Sequence, residues 1–171
     1  EVKLDAPRGD ILPANGYNEG EDTFTAPPAD GSGVTVAVSP TSDRLQLLQP
    51  FTAWNGKDYI GLPVLMKAQG KCTTDHISAA GKWLTYRGHL ENISGNLFIG
   101  AVNAFGGAVG EGLDTIDGSR RSYPDIAKHY GESGVQWCAI GDQNYGEGSS
   151  REHAAMEPRF RGGVVIFARS F

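Results

Sequence analysis

The sequence predicts an α/β domain with a βαβ core, preceded by an extended linker arm. Two apolar runs near the end of the chain, VQWCAI at 135–140 and VVIFA at 164–168, flank a glycine loop and a helix-forming stretch. That order describes a βαβ unit, which demands parallel strands joined by a right-handed crossover. The arm is predicted by Pro7, Pro13, Pro27 and Pro28, which stand among Gly, Asp, Asn and Glu with too few apolar positions for a core element. The length of 171 residues, 39% of them hydrophobic, suits one domain with a substantial core. The division expected is therefore an arm over 1–32 and a domain over 33–171.

Within the domain, VTVAV at 34–38 is a β-branched run that reads as a strand, closed by Ser39, Pro40 and Thr41. YIGLPVLMKA at 59–68 reads as a second strand, and Pro63 confines it to a sheet edge or a start position. The motif GKCTTDHISAAG follows, a polar loop of the kind that either caps elements or lines a site. WLTYRGHLENISGNLFIGAV is amphipathic in places and broken by glycines, and it carries Arg87. Residues 104–122, rich in Gly, Asp and Ser, read as a long loop. Pro124 suits the first turn of a helix running from Asp125 to Glu132, with Gly134 closing it.

Composition narrows the function classes. A net charge of -5 gives no global drive toward nucleic acid or lipid, so an anionic ligand must be held by local cations. Cys72 and Cys138 are far apart and form neither a metal-ligand spacing nor a disulfide framework, which fits a reducing intracellular compartment. No apolar run has the length of a membrane span. The first residues, EVKLDAPRGD, have neither a signal h-region nor an Arg/Ser-rich transit pattern, as in a chain whose address has been removed or in a fragment.

The most informative stretch is GDQNYGEGSSREHAA at 141–155. A helix is expected to start at the two serines, and Ser149 with Glu152 fits a capping box. The same helix end, with two hydroxyls and Arg151, is also a ready site for a carboxylate or a developing oxyanion. Both readings stand on the residues alone. Ser149 lies beyond the carboxyl end of the predicted VQWCAI strand, where sites of βαβ units are found.

Together, KCTTDHISAAG with WLTYRGHLENIS behind it and GDQNYGEGSSREHAAMEPRF resemble the C-terminal swivelling domain of aconitase, closest to the mitochondrial type. The resemblance runs from SPTSDRLQLLQPF to Phe171, and the arm with its APPAD stretch is similar to the family's linker. It implies a three-layer β/β/α swivelling topology and the interconversion of citrate and isocitrate through cis-aconitate, a step of the tricarboxylic acid cycle. It further implies that Ser149 is the catalytic base as an alkoxide. Arg87, Ser150 and Arg151 would bind substrate carboxylates, and Thr74, Asp75 and Ser78 would line the site; a guanidinium fork suits carboxylate binding better than a lysine.

The cofactor implied is a four-iron four-sulphur cluster, bound by other domains, with no metal ligand in this chain. The partners implied are the tricarboxylate substrate and the cluster-bearing domains, with no membrane and no nucleic acid, in the mitochondrial matrix or alternatively the cytoplasm. The chain departs from the family at Lys82, where proline is usual, and over 104–122, and family members continue well past the position of Phe171. The alternatives weighed are a non-catalytic carboxylate- or RNA-binding module and the corresponding lobe of a homoaconitate or isopropylmalate isomerase.

Overall fold

The computed structural model describes Lys3, Gly16 and residues 20–171. The chain divides into two compact units, Glu1–Thr35 and Val36–Phe171. In the first, the described residues form no helix or strand; a turn at 31–34 is closed by the Val34 N–H on the Gly31 carbonyl. The Pro7 and Pro13 part of the arm lies outside the described residues.

The second unit is a mixed α/β domain. Its main sheet has three parallel strands in the order β1 (Val64–Lys67), β4 (Trp137–Ile140), β5 (Gly163–Phe167). A two-stranded antiparallel pair, β2 (Glu111–Leu113) with β3 (Arg120–Ser122), accompanies it. The helices are α1 (Thr74–Ile77), α2 (Leu90–Ile93), α3 (Tyr123–Glu132) and α4 (His153–Phe160), with 3-10 turns at Gly81–Tyr86 and Ser94–Asn96. The expected βαβ unit is β4-α4-β5. β1 begins directly after Pro63 and lies at the sheet edge, as a residue without an N–H to donate requires.

Elsewhere the sequence pattern is reinterpreted by packing. Residues 34–38 form no strand: Val34 and Val36 are each 66% exposed and no strand among the described residues pairs with them, so β-branching alone does not make a ladder. The stretch 104–122 is not a plain loop, because β2 and β3 pair within it. Gly112 is needed there: a Cβ would stand 2.7 Å from the Tyr123 ring. α3 starts two residues earlier than expected, at Tyr123, with the Ser122 hydroxyl accepting from the Asp125 N–H and Pro124 in the first turn. Its buried face, Tyr123, Ile126, Ala127 and Tyr130, follows the helical period.

The core joins this face to Leu65, Met66, Ile77, Leu97, Phe98 and Trp137. Phe98 packs edge-on against both Tyr123 and Trp137, with ring centroids 6.0 and 6.2 Å away. Among the described residues no helix is long and apolar enough to cross a membrane.

Candidate active site

The loop after β4 carries the serines, and the turn after β1 carries α1. Two backbone bonds stitch them together: the Gly146 N–H donates to the Cys72 carbonyl at 2.8 Å, and the Thr74 N–H to the Glu147 carbonyl at 3.0 Å. Gly148 brings the loops into contact; at φ +127° it adopts a conformation that disfavours side chains, and a Cβ would lie 2.9 Å from Thr74 Oγ1. The result is a concavity of about 560 Å³ whose rim includes Thr74, Gly148, Ser149, Ser150 and Arg151, with Val164 and Ile166 of β5 on its apolar side. A mixed wall of this kind suits a small polar ligand.

The helix does not begin at the serines. α4 starts at His153, its N-cap is Glu152 with no side-chain cap bond, and Ser149 and Ser150 are exposed in the preceding bend. The Ser149–Glu152 capping box is therefore absent, and with it the row of helix-end N–H groups expected at Ser149. The physical reason lies in what flanks them: Gly148 holds a non-helical backbone, and Arg151 is drawn toward α1. Its Nη1 pairs with Asp75 Oδ1 at 2.6 Å and donates to the Ser78 carbonyl at 2.5 Å. Neither serine hydroxyl has a hydrogen-bond partner among the described residues, which leaves both open to the concavity.

α1 itself is a single helical turn, where the sequence suggested a loop. His76 Nδ1 accepts from the Thr73 N–H at 3.1 Å, so this histidine is a structural cap. Thr74 is buried with its hydroxyl unpartnered, and Asp75 is exposed apart from its ion pair. Ser78 is buried and its hydroxyl donates to Glu157 Oε1 of α4 at 2.7 Å.

Arg87 caps the 3-10 turn Gly81–Tyr86. Its side chain is exposed and makes no ion pair among the described residues, and it does not line the concavity. Its backbone is nevertheless tied to the serine motif: the buried His153 donates from Nε2 to the Arg87 carbonyl at 2.9 Å. Ser149, Ser150, Arg151 and Thr74 thus share one surface, Asp75 and Ser78 anchor Arg151 from behind, and Arg87 stands apart with a guanidinium that has no partner among the described residues.

Sequence reasoning passed over His153 and Glu157. Both lie in the helix-forming run after the serines, four residues apart, a spacing that places them on one face. Two polar residues at that spacing on a face that packs inward were the available signal. Glu157 is fully buried, and burial pushes its carboxyl up to about 8 against the pull of the Ser78 hydrogen bond and of Arg161 and Arg151.

Another cluster is already satisfied. The buried Asp114 binds His129 Nδ1 through Oδ2 at 2.6 Å and has Arg121 Nε 3.6 Å away, while Arg121 also pairs with Asp117. These groups compensate one another as a structural network.

Comparison with known proteins decides the family, because the family described as Aconitase C-terminal domain matches residues 62–171. The chain belongs to the aconitase C-terminal domain family. Over all 171 residues it is 59% identical to a protein named mitochondrial aconitate hydratase from Emericella nidulans and 57% identical to one of the same name from Saccharomyces cerevisiae. It is 52% identical over the same length to a probable mitochondrial aconitate hydratase of Dictyostelium discoideum. In each case the chain spans 22% of the relative's length.

The iron–sulphur cluster expected in the aconitase family finds no fit among this domain's cysteines. Cys72 and Cys138 are 1% and 6% exposed, and burial pushes the Cys72 thiol up to about 12 and raises that of Cys138. Cluster ligation takes a set of several closely spaced cysteines, and this chain has two, far apart in sequence. These two are core thiols.

Proposed function

We propose that this chain is the swivelling domain of an aconitase-type hydro-lyase, one that interconverts citrate and isocitrate through cis-aconitate. Ser149 is the base, and Arg151, Ser150 and Arg87 receive the substrate's carboxylates. The arm over 1–32 links the domain over 33–171 to partner domains that hold the four-iron four-sulphur cluster. The names of the relatives support a mitochondrial location, and the net charge of -5 argues against a nucleic-acid partner.

The observation that carries the reading is the shared rim of Ser149, Ser150 and Arg151, with Arg151 held from behind by Asp75 and the Ser78 carbonyl. The proton to be removed lies on carbon beside a carboxylate and is weakly acidic, so the base must be strong and the charge that forms must be met by donors. Ser149 in its alkoxide form takes that proton and becomes a hydroxyl. The charge left on the substrate spreads into the neighbouring carboxylate, which a guanidinium binds through two parallel N–H groups. With α4 starting after Glu152, stabilisation of the alkoxide falls to the guanidinium groups and to N–H groups of the glycine loop. The apolar β5 side of the concavity limits the water that competes for these charges.

The test is turnover of citrate by the domain assembled with its cluster-bearing partners. Ser149→Ala is expected to lower kcat by about a thousandfold with little change in KM, within the range for loss of a general base. A Ser149→Ala enzyme with full kcat would overturn the assignment.

A further inference from the structure

His153, Glu157 and Arg161 follow one another at four-residue spacing along α4 and just past its end, so they share a face. Each grips a different segment. His153 holds the Arg87 carbonyl, Glu157 holds the Ser78 hydroxyl, and Arg161 Nη2 holds the carbonyl and Oε1 of Glu91 at 3.0 and 2.9 Å. Ser78 is thereby bound from two sides, its hydroxyl to Glu157 and its carbonyl to Arg151.

We propose that Glu157 is a positioning residue: by fixing Ser78 it fixes the carbonyl that orients the Arg151 guanidinium toward the anionic ligand. The inference rests on the proposed role of Arg151 as a carboxylate binder.

The chemistry of the site favours the neutral acid. Among the described residues, Glu157 is fully buried, accepts one hydrogen bond, and has Oε2 without a partner. An ionised carboxylate there would lack the several donors that usually compensate burial. The charges facing it come from Arg151 and Arg161, each with an acidic partner of its own: Asp75 of α1 pairs with Arg151 and Glu91 of α2 with Arg161. The strand β5, GVVIF, and the 3-10 turn SGN bring no titratable side chain. A proton on Glu157 therefore leaves the positive charge of Arg151 available to a ligand. Once ionised, as the pH passes about 8, Glu157 competes with that ligand for the field of Arg151.

The test is calorimetric titration of the complete cluster-loaded enzyme with propane-1,2,3-tricarboxylate, which has no hydroxyl to eliminate and so reports binding without chemistry. Glu157→Ala should weaken binding about tenfold or more, and Glu157→Gln, which keeps the acceptor for Ser78 and stays neutral, should recover all but about threefold of it. Affinity of the unsubstituted enzyme should fall severalfold between about pH 7 and pH 9, and Glu157→Gln should remove that fall.

Gln binding as poorly as Ala, or an unchanged pH profile in Glu157→Gln, would overturn the proposal. If Glu157→Ala fails to fold, the Gln profile alone decides. Turnover by Ser149→Ala, measured alongside, separates the two readings. Full turnover there with the Glu157 profile as expected would remove only the assignment of the base, whereas normal loss of turnover with a flat Glu157 response would remove only the positioning role. No binding of the probe by the unsubstituted enzyme would overturn both.

Discussion

Arg151 Nη1 lies 2.6 Å from Asp75 Oδ1, with the arginine side chain 16% exposed and the aspartate 60% exposed. The pair joins two segments 76 positions apart that have no strand or helix in common. A half-open pair of this kind contributes little to stability, about 0–1 kcal/mol. Its effect is geometric, because it occupies Nη1 and thereby sets the direction in which the rest of the fork faces. Asp75→Asn should leave the unfolding midpoint of the domain nearly unchanged and raise the KM for citrate by about three- to tenfold with a smaller effect on kcat. An unaltered KM would show that the Ser78 carbonyl orients Arg151 unaided.

Glu157 ties stability to pH. Its folded-state value of about 8 stands above the ordinary 4.5, so the folded chain binds the proton more tightly than the unfolded chain does. Stability is therefore fullest below the ordinary value, declines as pH rises from about 4.5, and levels off past the folded value, with a total loss on the order of 3–5 kcal/mol. Urea denaturation at about pH 6 and pH 9 should show this decline, and Glu157→Gln should flatten it. A decline of equal size in the Gln variant would assign it to other groups.

Gly148 is held at φ +127°. Gly148→Ala places a methyl 2.9 Å from Thr74 Oγ1 and strains the backbone as well. The cost should be about 1–3 kcal/mol in denaturation midpoint, together with a loss of kcat greater than the loss of affinity, since Ser149 is the next residue. The same substitution at Gly146, where a Cβ would meet nothing within 4 Å, isolates the backbone strain from the contact with Thr74. Equal effects at both positions would mean that the approach to Thr74 contributes nothing.

The βαβ unit was legible because its signals are local: VQWCAI and VVIFA are continuous apolar runs, and glycines separate the first from the helix. The helix start was misplaced by four residues because the capping signal at Ser149 and Glu152 is also local, whereas the contacts that hold Arg151 out of the helix come from α1, far away in sequence. β2 and β3 were illegible for a related reason. Three-residue strands are too short to show alternation, and Gly112 is there to fit the Tyr123 ring. At the candidate site, motif resemblance marked Thr74, Ser149, Ser150 and Arg151, which share the rim of one concavity, and Arg87, which does not line it. Residues that hold those from behind, His153 and Glu157, read as ordinary helix positions until their partners were in place.

His153 provides the remaining link, between the serine motif and Arg87. A carbonyl can only accept, so the 2.9 Å contact requires the proton on Nε2 of His153. The other ring nitrogen, Nδ1, lies 3.6 Å from Glu152 Oε1. The Arg87 side chain has no ion pair of its own among the described residues, and the backbone contact ties its position to α4. His153→Leu removes the donor while keeping the site apolar and filled, and should cost about 1–3 kcal/mol of stability, as for a buried hydrogen bond broken on one side. In the assembled enzyme it should raise the KM for citrate more than it lowers kcat, because the group displaced is a proposed carboxylate binder and not the base. His153→Gln can carry an N–H close to the position of Nε2 and should recover part of the KM. A kcat-selective loss, or no rescue by Gln, would show that His153 acts on Ser149 directly and not through Arg87.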